Sequence, residues 1–403
     1  MAHRETALPS VIVGKTVGRE FQRELTTEKI IRGDPCEDCS WVFNCGFMLS
    51  GGDYMPIKFN KKALGLGVAC AALLGFSCAQ ASAAQLSACL ITKTDNNPYW
   101  ITMQHAAAAK AKALGIKLYS YAGKYDGDNA TQVNDVQTCV ANQVDAIIIA
   151  ASSPKGIAHT LDQAHKAGVL IIAVDTLLNP IDTAQVSFAT DNFEAGELDG
   201  RWALKTLGAK AKSAKIGMID LAINQPSVGV ERDQGFLKGF GIALKNPNKW
   251  GDETDPRIVG HAVSGGNEKG GLKAMEQLLA INNNINLVYA INEPAAFGAY
   301  QALKSSGRAG KAKLVAIDGS CPGIKWVKQG IIDADAMQFP KRMVVKALEA
   351  LVQYKKDGTV PKPSKGLPYF NTGVKLVTAH PVPGVPSISP AEGAKMCWGY
   401  TKS

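Results

Sequence analysis

Between Leu86 and Val174 short apolar runs alternate with amphipathic stretches, and the spacing within each decides its type. Leu86–Thr92, Lys117–Tyr121, Ala146–Ile149 and Val169–Val174 predict strands. They lack a clean in–out alternation, the pattern of strands covered on both faces of a parallel sheet. Tyr99–Leu114, Thr131–Asn142 and Gly156–Ala167 predict helices. In the second of these Val133, Val136 and Val140 recur at three- and four-residue spacing, while Gly115 and Gly168 close the first and third.

The same rhythm restarts after Asp191. Strands are predicted at Lys215–Ile219, Ile258–Val263, Leu287–Ala290 and Leu314–Ile317, separated by helices over Val228–Leu244, Glu268–Leu279 and Ala295–Ser306. The expected fold is therefore α/β, with two Rossmann-like, doubly wound parallel-sheet lobes in succession. Right-handed crossovers place the strand-end loops of each sheet on one edge, where such sheets bind ligands. Polar residues gather at those ends: Thr92 to Asn97 after the first strand, Asp175 after the fourth, Asn292-Glu293 and Asp318 in the second half, and Gln338 after a late strand. Any one of them could cap a helix or a turn. Their recurrence at successive strand ends points to a binding cleft.

Composition changes the picture of location more than of fold. With 46% hydrophobic and 20% charged residues in 403, the chain can bury a large core and is not a disordered polyelectrolyte. The formal charge of +9 comes from Lys and Arg dispersed among Asp and Glu, which describes a solvated surface better than a nucleic-acid tract. Lys58, Lys61 and Lys62 precede an apolar run from Ala63 to Phe76, and Ala81 and Ala83 follow at the spacing a signal peptidase reads. That run is shorter than the ~20 residues of a membrane span. We expect residues 55–84 to be a cleavable signal peptide, the protein to be periplasmic, and residues 1–54 to be an over-extended upstream segment ahead of a start at Met55 or Met48. Cys36, Cys39 and Cys45, with His3, fall short of a convincing zinc site.

Cys89, Cys139, Cys321 and Cys397 follow the signal, and an even set in an oxidising compartment suggests disulfides. Their positions favour Cys89–Cys139 and Cys321–Cys397, although sequence permits three connectivities and free buried thiols as well. Enzymatic motifs are missing. Thr94-Asp95-Asn96-Asn97-Pro98 stands where a dinucleotide-binding glycine loop would follow the first strand, and there is neither a phosphate-binding Gly-Lys-Ser/Thr loop nor a Gly-x-Ser-x-Gly elbow. Gly196 and Gly200 flank Glu197 within a helix and read as packing positions. His105, His159, His165, His261 and His380 are scattered without metal-ligand spacing. No catalytic residue, metal or cofactor is expected, and residues 1–84 show no helix-turn-helix for DNA.

Asn96-Asn97-Pro98-Tyr99-Trp100, Val174-Asp175, Ala189-Thr190-Asp191-Asn192, Glu231 to Phe236, Ile291-Asn292-Glu293 and Ile317-Asp318-Gly319 together resemble periplasmic binding proteins of ribose- and fructose-type ABC importers. The similarity runs from about Leu86 to the C-terminus. YAGKYDGDN (121–129), INEPAAFGAY (291–300) and the Cys-Pro-Gly after Asp318 look closest to the fructose-binding branch. The resemblance implies a hinge of three crossings, near Thr190–Asp191, Gln338–Phe339 and Gly373–Val374. The N-terminal lobe would then be 85–190 plus 339–373 and the C-terminal lobe 191–338 plus 374–403. It also implies a monomer that closes on a monosaccharide (fructose first, then mannose or ribose) and hands it to an ABC permease with its ATPase, touching the membrane complex only peripherally. A sugar or polyol sensor serving a chemotaxis or kinase receptor is the alternative.

Carried onto matching positions, the resemblance makes Asn97, Asp175, Arg232, Asn292, Asp318 and Gln338 polar ligand contacts, and Tyr99 and Trp100 the aromatic pair. The chemistry fits on its own terms: carboxylates, amides and a guanidinium match the paired donors and acceptors of sugar hydroxyls, and aromatic faces pack on C–H patches. Asp191 and Asn192 read as hinge or N-cap residues. Two departures reshape the expected pocket: Ala150-Ala151-Ser152-Ser153 replaces an amide, and Gly265-Gly266-Asn267 replaces an aromatic. Lys93, Asp95 and Gln225 are candidates to supply replacement contacts.

Overall fold

A computed structural model describes residues 85–224 and 226–399; the expected signal peptide and upstream segment lie outside these residues. The first half contains β1 (Ser87–Thr92), α1 (Pro98–Leu114), β2 (Lys117–Ala122), α2 (Asn129–Ala141), β3 (Ala146–Ile149), α3 (Ala158–Lys166), β4 (Leu170–Val174) and β5 (Val186–Ala189). The second contains α4 (Asn192–Leu207), β6 (Ile216–Asp220), α5 (Ser227–Phe240), β7 (Ile258–Val263), α6 (Glu268–Ile281), β8 (Leu287–Ala290), α7 (Glu293–Ser305), β9 (Lys313–Asp318), α8 (Cys321–Lys328) and β10 (Ala334–Met337). Next come α9 (Pro340–Asp357), β11 (Phe370–Asn371) and β12 (Lys375–Thr378).

The strands form two six-stranded sheets, ordered β11-β5-β4-β3-β1-β2 and β12-β10-β9-β8-β6-β7. Every pairing is parallel except that of β12 with β10. This is the two-lobed, doubly wound α/β architecture that the apolar runs predict. The unbroken burial of β3 and β4 explains their lack of alternation, since both faces carry helices. Apolar clusters fill the two faces of the first sheet, one around Leu90, Met103 and Leu348 and the other around Ile91, Val136 and Leu161. A larger cluster, including Trp202, Phe236 and Tyr289, holds the second lobe.

The helix α5 ends at Phe240 rather than at the expected Leu244, because Gly241 takes a left-handed conformation (φ 76°) and its N–H turns back to Leu237 and Lys238. Helices α4 and α5 meet almost backbone to backbone. A Cβ on Gly196 would stand 1.9 Å from the carbonyl oxygen of Arg232, and one on Gly200 2.2 Å from that of Phe236. These glycines thus act as packing positions, and they fix where Arg232 lies relative to the start of α4.

The chain passes between the sheets after β5, after β10 and after β11. These links brace one another: the Thr372 hydroxyl donates to Ala189 O at 3.1 Å and Arg342 Nη1 to Thr372 O at 2.7 Å. Disulfides join Cys89 on β1 to Cys139 on α2, and Cys321 at the start of α8 to Cys397. Directly after Cys397, Trp398 packs into the first lobe's core while its indole N–H donates to Asp318 O and Gln338 O at 3.1 and 3.0 Å. Among the described residues no helix is long and apolar enough to cross a membrane.

Candidate functional site

In a parallel sheet each strand delivers its last residue to the same edge. Lys93 follows β1, Asp175 follows β4, Leu221 follows β6, Asn292 lies just beyond β8, Asp318 ends β9 and Gln338 follows β10. These edges face one another, and one cavity collects Lys93, Asn97, Tyr99, Trp100, Asp126, Asp175, Leu221, Val228, Arg232, Asn292, Asp318 and Gln338. Every principal sequence candidate for ligand contact is therefore in one place. Of the supplementary candidates, Lys93 lines the cavity, Asp95 is exposed and does not, and Gln225 lies outside the described residues.

The cavity is narrow, about 40 Å³ in volume. Larger spaces lie elsewhere, about 610 Å³ beside Cys321 and Cys397 and about 560 Å³ among Pro154, Asn179 and Glu231. Neither of these spaces gathers strand-end side chains of both sheets as the narrow cavity does.

Its walls are pre-organised by hydrogen bonds. The Tyr99 hydroxyl lies 2.9 Å from Asp175 Oδ1 and 3.2 Å from Gln338 Oε1, so its single proton serves one at a time. Gln338 Nε2 donates to Asp318 Oδ1 at 2.8 Å, and Thr176 Oγ1 donates to Asp175 Oδ2 at 2.7 Å. Arg232 is held by Nε to Asn192 Oδ1 at 2.7 Å and Nη1 to Ile291 O at 3.0 Å, leaving Nη2 for other partners. Asp191 caps α4 by accepting from Glu194 N, while Asn192 steers the arginine. Asn97 and Asn292 each cap a helix and line the cavity as well, accepting from Tyr99 N and Ala295 N.

Aromatic rings close one wall. Tyr99 meets Trp100 edge-on at 4.7 Å between centroids and meets Trp398 edge-on at 5.1 Å. Lys93 Nζ sits 5.6 Å over the Trp100 ring and 3.7 Å from Asp126 Oδ1. Burial raises the Asp318 carboxyl to about 6 against the opposing pull of Arg232, and burial backed by the Asp175 carboxylate pushes the Tyr99 hydroxyl well above its usual range. Behind Asp318, Glu293 accepts from Gly319 N at 3.1 Å and Ser320 N at 2.9 Å, and so acts as a strut for this strand end.

Sequence reasoning did not identify Asp126, Leu221 or Val228, which line the cavity, or Trp398, which backs Tyr99. Asp126 sits within the YAGKYDGDN stretch, which carried the only available signal. Trp398 lies far along the chain from every partner it touches, and no local pattern marks it. The arrangement offers anionic acceptors, cationic donors, an amide and aromatic faces in a largely buried cleft, a set suited to a compact polyhydroxylated molecule.

A family model described as a periplasmic binding protein domain matches residues 88–359. The galactofuranose-binding protein YtfQ of Escherichia coli is 30% identical over 268 residues, spanning 64% of this chain and 78% of that protein. The ribose import binding protein RbsB of Haemophilus influenzae is 25% identical over 276 residues, spanning 67% and 86%. A D-allose-bound periplasmic solute-binding protein of an ABC transporter from Actinobacillus succinogenes superposes with a TM-score of 0.62 at 26% identity, over 73% of this chain and 97% of that one. The crystal structure of a galactofuranose-binding protein gives a TM-score of 0.63 at 23% identity, over 77% and 97%, and bears on the fold alone.

Proposed function

Because the chain belongs to the periplasmic binding protein domain family, we propose that it captures a monosaccharide between its lobes and delivers it to an ABC permease and its ATPase. The observation that carries this reading is the meeting of strand-end side chains from both sheets in one buried polar cavity. Asn97, Tyr99, Trp100 and Asp175 offer the first lobe's contacts, and Arg232, Asn292 and Asp318 the second's. Gln338, at a link between the sheets, bonds to Asp318 and lies within reach of Tyr99. The three links form the hinge, and sugar bridging the lobes shifts the population toward the closed form. A signal peptide over 55–84 would send the protein to the periplasm.

Fructose heads the candidates on the stretches at 121–129 and 291–300, with mannose and ribose next. Relatives named for galactofuranose, ribose and D-allose add arms to the panel. A wrong epimer leaves buried donors or acceptors unmatched, at about 1–3 kcal/mol each.

The test is a thermal-shift screen of the purified, ligand-free protein against fructose, mannose, ribose, galactose, allose and myo-inositol, followed by calorimetric titration of any hit. A ligand that binds only the folded state raises Tm once its concentration passes Kd. A shift with one or two of these sugars, lost in Arg232→Ala, supports the assignment. No shift with any of them from folded protein overturns it.

A further inference from the structure

Outside the lining of the sugar cavity lies a second group of titratable side chains. Asp220 ends β6, Asp233 lies on α5, His261 lies on β7 and Glu253 precedes β7 in a loop. Asp220 and Asp233 are neighbours in sequence of the cavity residues Leu221 and Arg232, so the two sites share elements without sharing side chains. His261 Nδ1 lies 3.0 Å from Asp220 Oδ2 and 4.0 Å from Asp233 Oδ2, and its Nε2 lies 2.5 Å from Glu253 Oε1. Trp250 stacks on the imidazole with centroids 5.4 Å apart.

The charges do not balance. A single imidazole faces three carboxylates, and the side chains of Asp220, Asp233 and Glu253 are only 3%, 1% and 3% exposed. Asp233 is the decisive residue: it is buried, its Oδ2 lies 4.0 Å from His261 Nδ1, its carboxyl is paired only with that of Asp220, and no N–H or hydroxyl from outside the group donates to either of its oxygens. Glu253 Oε2 is likewise buried without a partner. A buried carboxylate in that position needs a proton or a cation.

We propose that Asp220, Asp233 and His261 form a binding site for a divalent metal ion of the zinc class, with Glu253 as the outer partner that orients the imidazole. One nitrogen and two carboxylate oxygens make a borderline donor set that suits zinc. The donor atoms of Asp220, Asp233 and His261 all lie within 4.8 Å of one another. Around zinc, donors at about 2.0–2.2 Å stand roughly 3.3 Å apart, so side-chain movements of about 1.5 Å or less complete the site. Glu253 on Nε2 fixes the tautomer that presents a bare Nδ1 lone pair to the ion, the arrangement of carboxylate, histidine and metal seen in zinc sites generally. His261 is 13% exposed at its side chain, which gives an ion a route in. Scattered histidines gave no ligand spacing in the sequence because these ligands come from β6, α5 and β7, which meet only in the fold.

The test is a titration of the purified, metal-stripped full chain with ZnCl2, read by calorimetry and by metal content after gel filtration, beside Asp233→Asn and Glu253→Gln. The readout is the difference between parent and variants, so that zinc taken up by free thiols elsewhere in the chain cancels. The parent is expected to hold one more equivalent than Asp233→Asn, and Glu253→Gln to bind that equivalent about 10–100-fold more weakly. Equal zinc uptake and affinity in all three proteins, or no uptake by the parent, overturns the site. Glu253→Gln keeps every direct ligand in place and so remains informative if Asp233→Asn fails to fold.

Discussion

The contact between α4 and α5 makes opposite predictions for the same substitution at two positions of one helix. In Gly235→Ala the new Cβ would lie 2.0 Å from Phe193 O and 2.9 Å from Glu197 N, against an ordinary contact of 3.4 Å or more. Both obstacles are backbone, so no side chain can swing aside, and the helices must part by about 1.4 Å at that point. Overpacking of this kind costs about 1–3 kcal/mol or more, and rigid neighbours put it at the upper end, about 3 kcal/mol. Alanine's better helix propensity returns about 1 kcal/mol, leaving a net loss of about 2 kcal/mol. Gly229→Ala in the same helix meets only Leu221 Cβ at 3.6 Å and Pro226 Cγ at 3.9 Å, which is ordinary contact. There the propensity gain of about 0.5–1 kcal/mol stands alone. Melting temperatures of the two ligand-free variants, measured by calorimetry at one pH, are expected to differ by roughly 5–10 °C with the parent between them. Sugar affinity is expected to fall only in Gly235→Ala, since the same helix contact sets the reach of Arg232 to Asn192. A Gly235→Ala protein as stable as the parent would refute the backbone-to-backbone contact.

Further predictions concern the cavity and its supports. Arg232→Ala leaves Asn192 Oδ1 and Ile291 O without their donor and is expected to raise the sugar Kd at least about 100-fold, by titration calorimetry, with a fold that circular dichroism finds intact. Asp318 has a folded pKa of about 6, above its unfolded value, so its stabilising contribution is complete below about pH 4 and is lost as pH rises through 6. The Tm of the ligand-free parent relative to Asp318→Asn is therefore expected to fall between pH 4 and 7; a difference that is constant or rises across that range contradicts the burial argument. Replacing Cys321 and Cys397 by Ser is expected to cost about 2–5 kcal/mol in denaturant unfolding. It should also weaken sugar binding, because Trp398 then loses its anchor one residue away; Trp398→Phe is expected to reproduce the binding loss at a stability cost of about 1–3 kcal/mol, from the Asp318 and Gln338 carbonyls left without their indole donor.

What was legible in the chain follows from how far each signal reaches. The apolar runs at Ala146–Ile149 and Val169–Val174 are local, and they became β3 and β4 of a parallel sheet. The end of α5 was misplaced because Gly241 acts by a single left-handed residue, which periodicity averages over. Trp398, Asp126 and the grouping of Asp220, Asp233 and His261 depend on contacts between distant segments, and no window of sequence contains them.

Asn97 and Asn292 show why the local reading of a polar strand-end residue could not be decided from sequence. Helix capping and ligand contact look like alternatives in sequence, yet both asparagines cap a helix and line the cavity. In a parallel α/β lobe the next helix starts where the strand ends, so its N-cap stands at the cleft by construction. The cap uses the side-chain oxygen to accept from the backbone, which leaves the amide N–H groups to aim elsewhere. For Asn97 no other partner engages that amide among the described hydrogen bonds, and it is available to a hydroxyl oxygen in the cleft. In Asn292 one N–H is already committed to Gly266 O at 2.9 Å, so it has less to offer. The two residues that look alike in sequence thus divide: capping leaves an amide donor at the cavity in the first lobe, and in the second it ties the strand end to the glycine turn at Gly266.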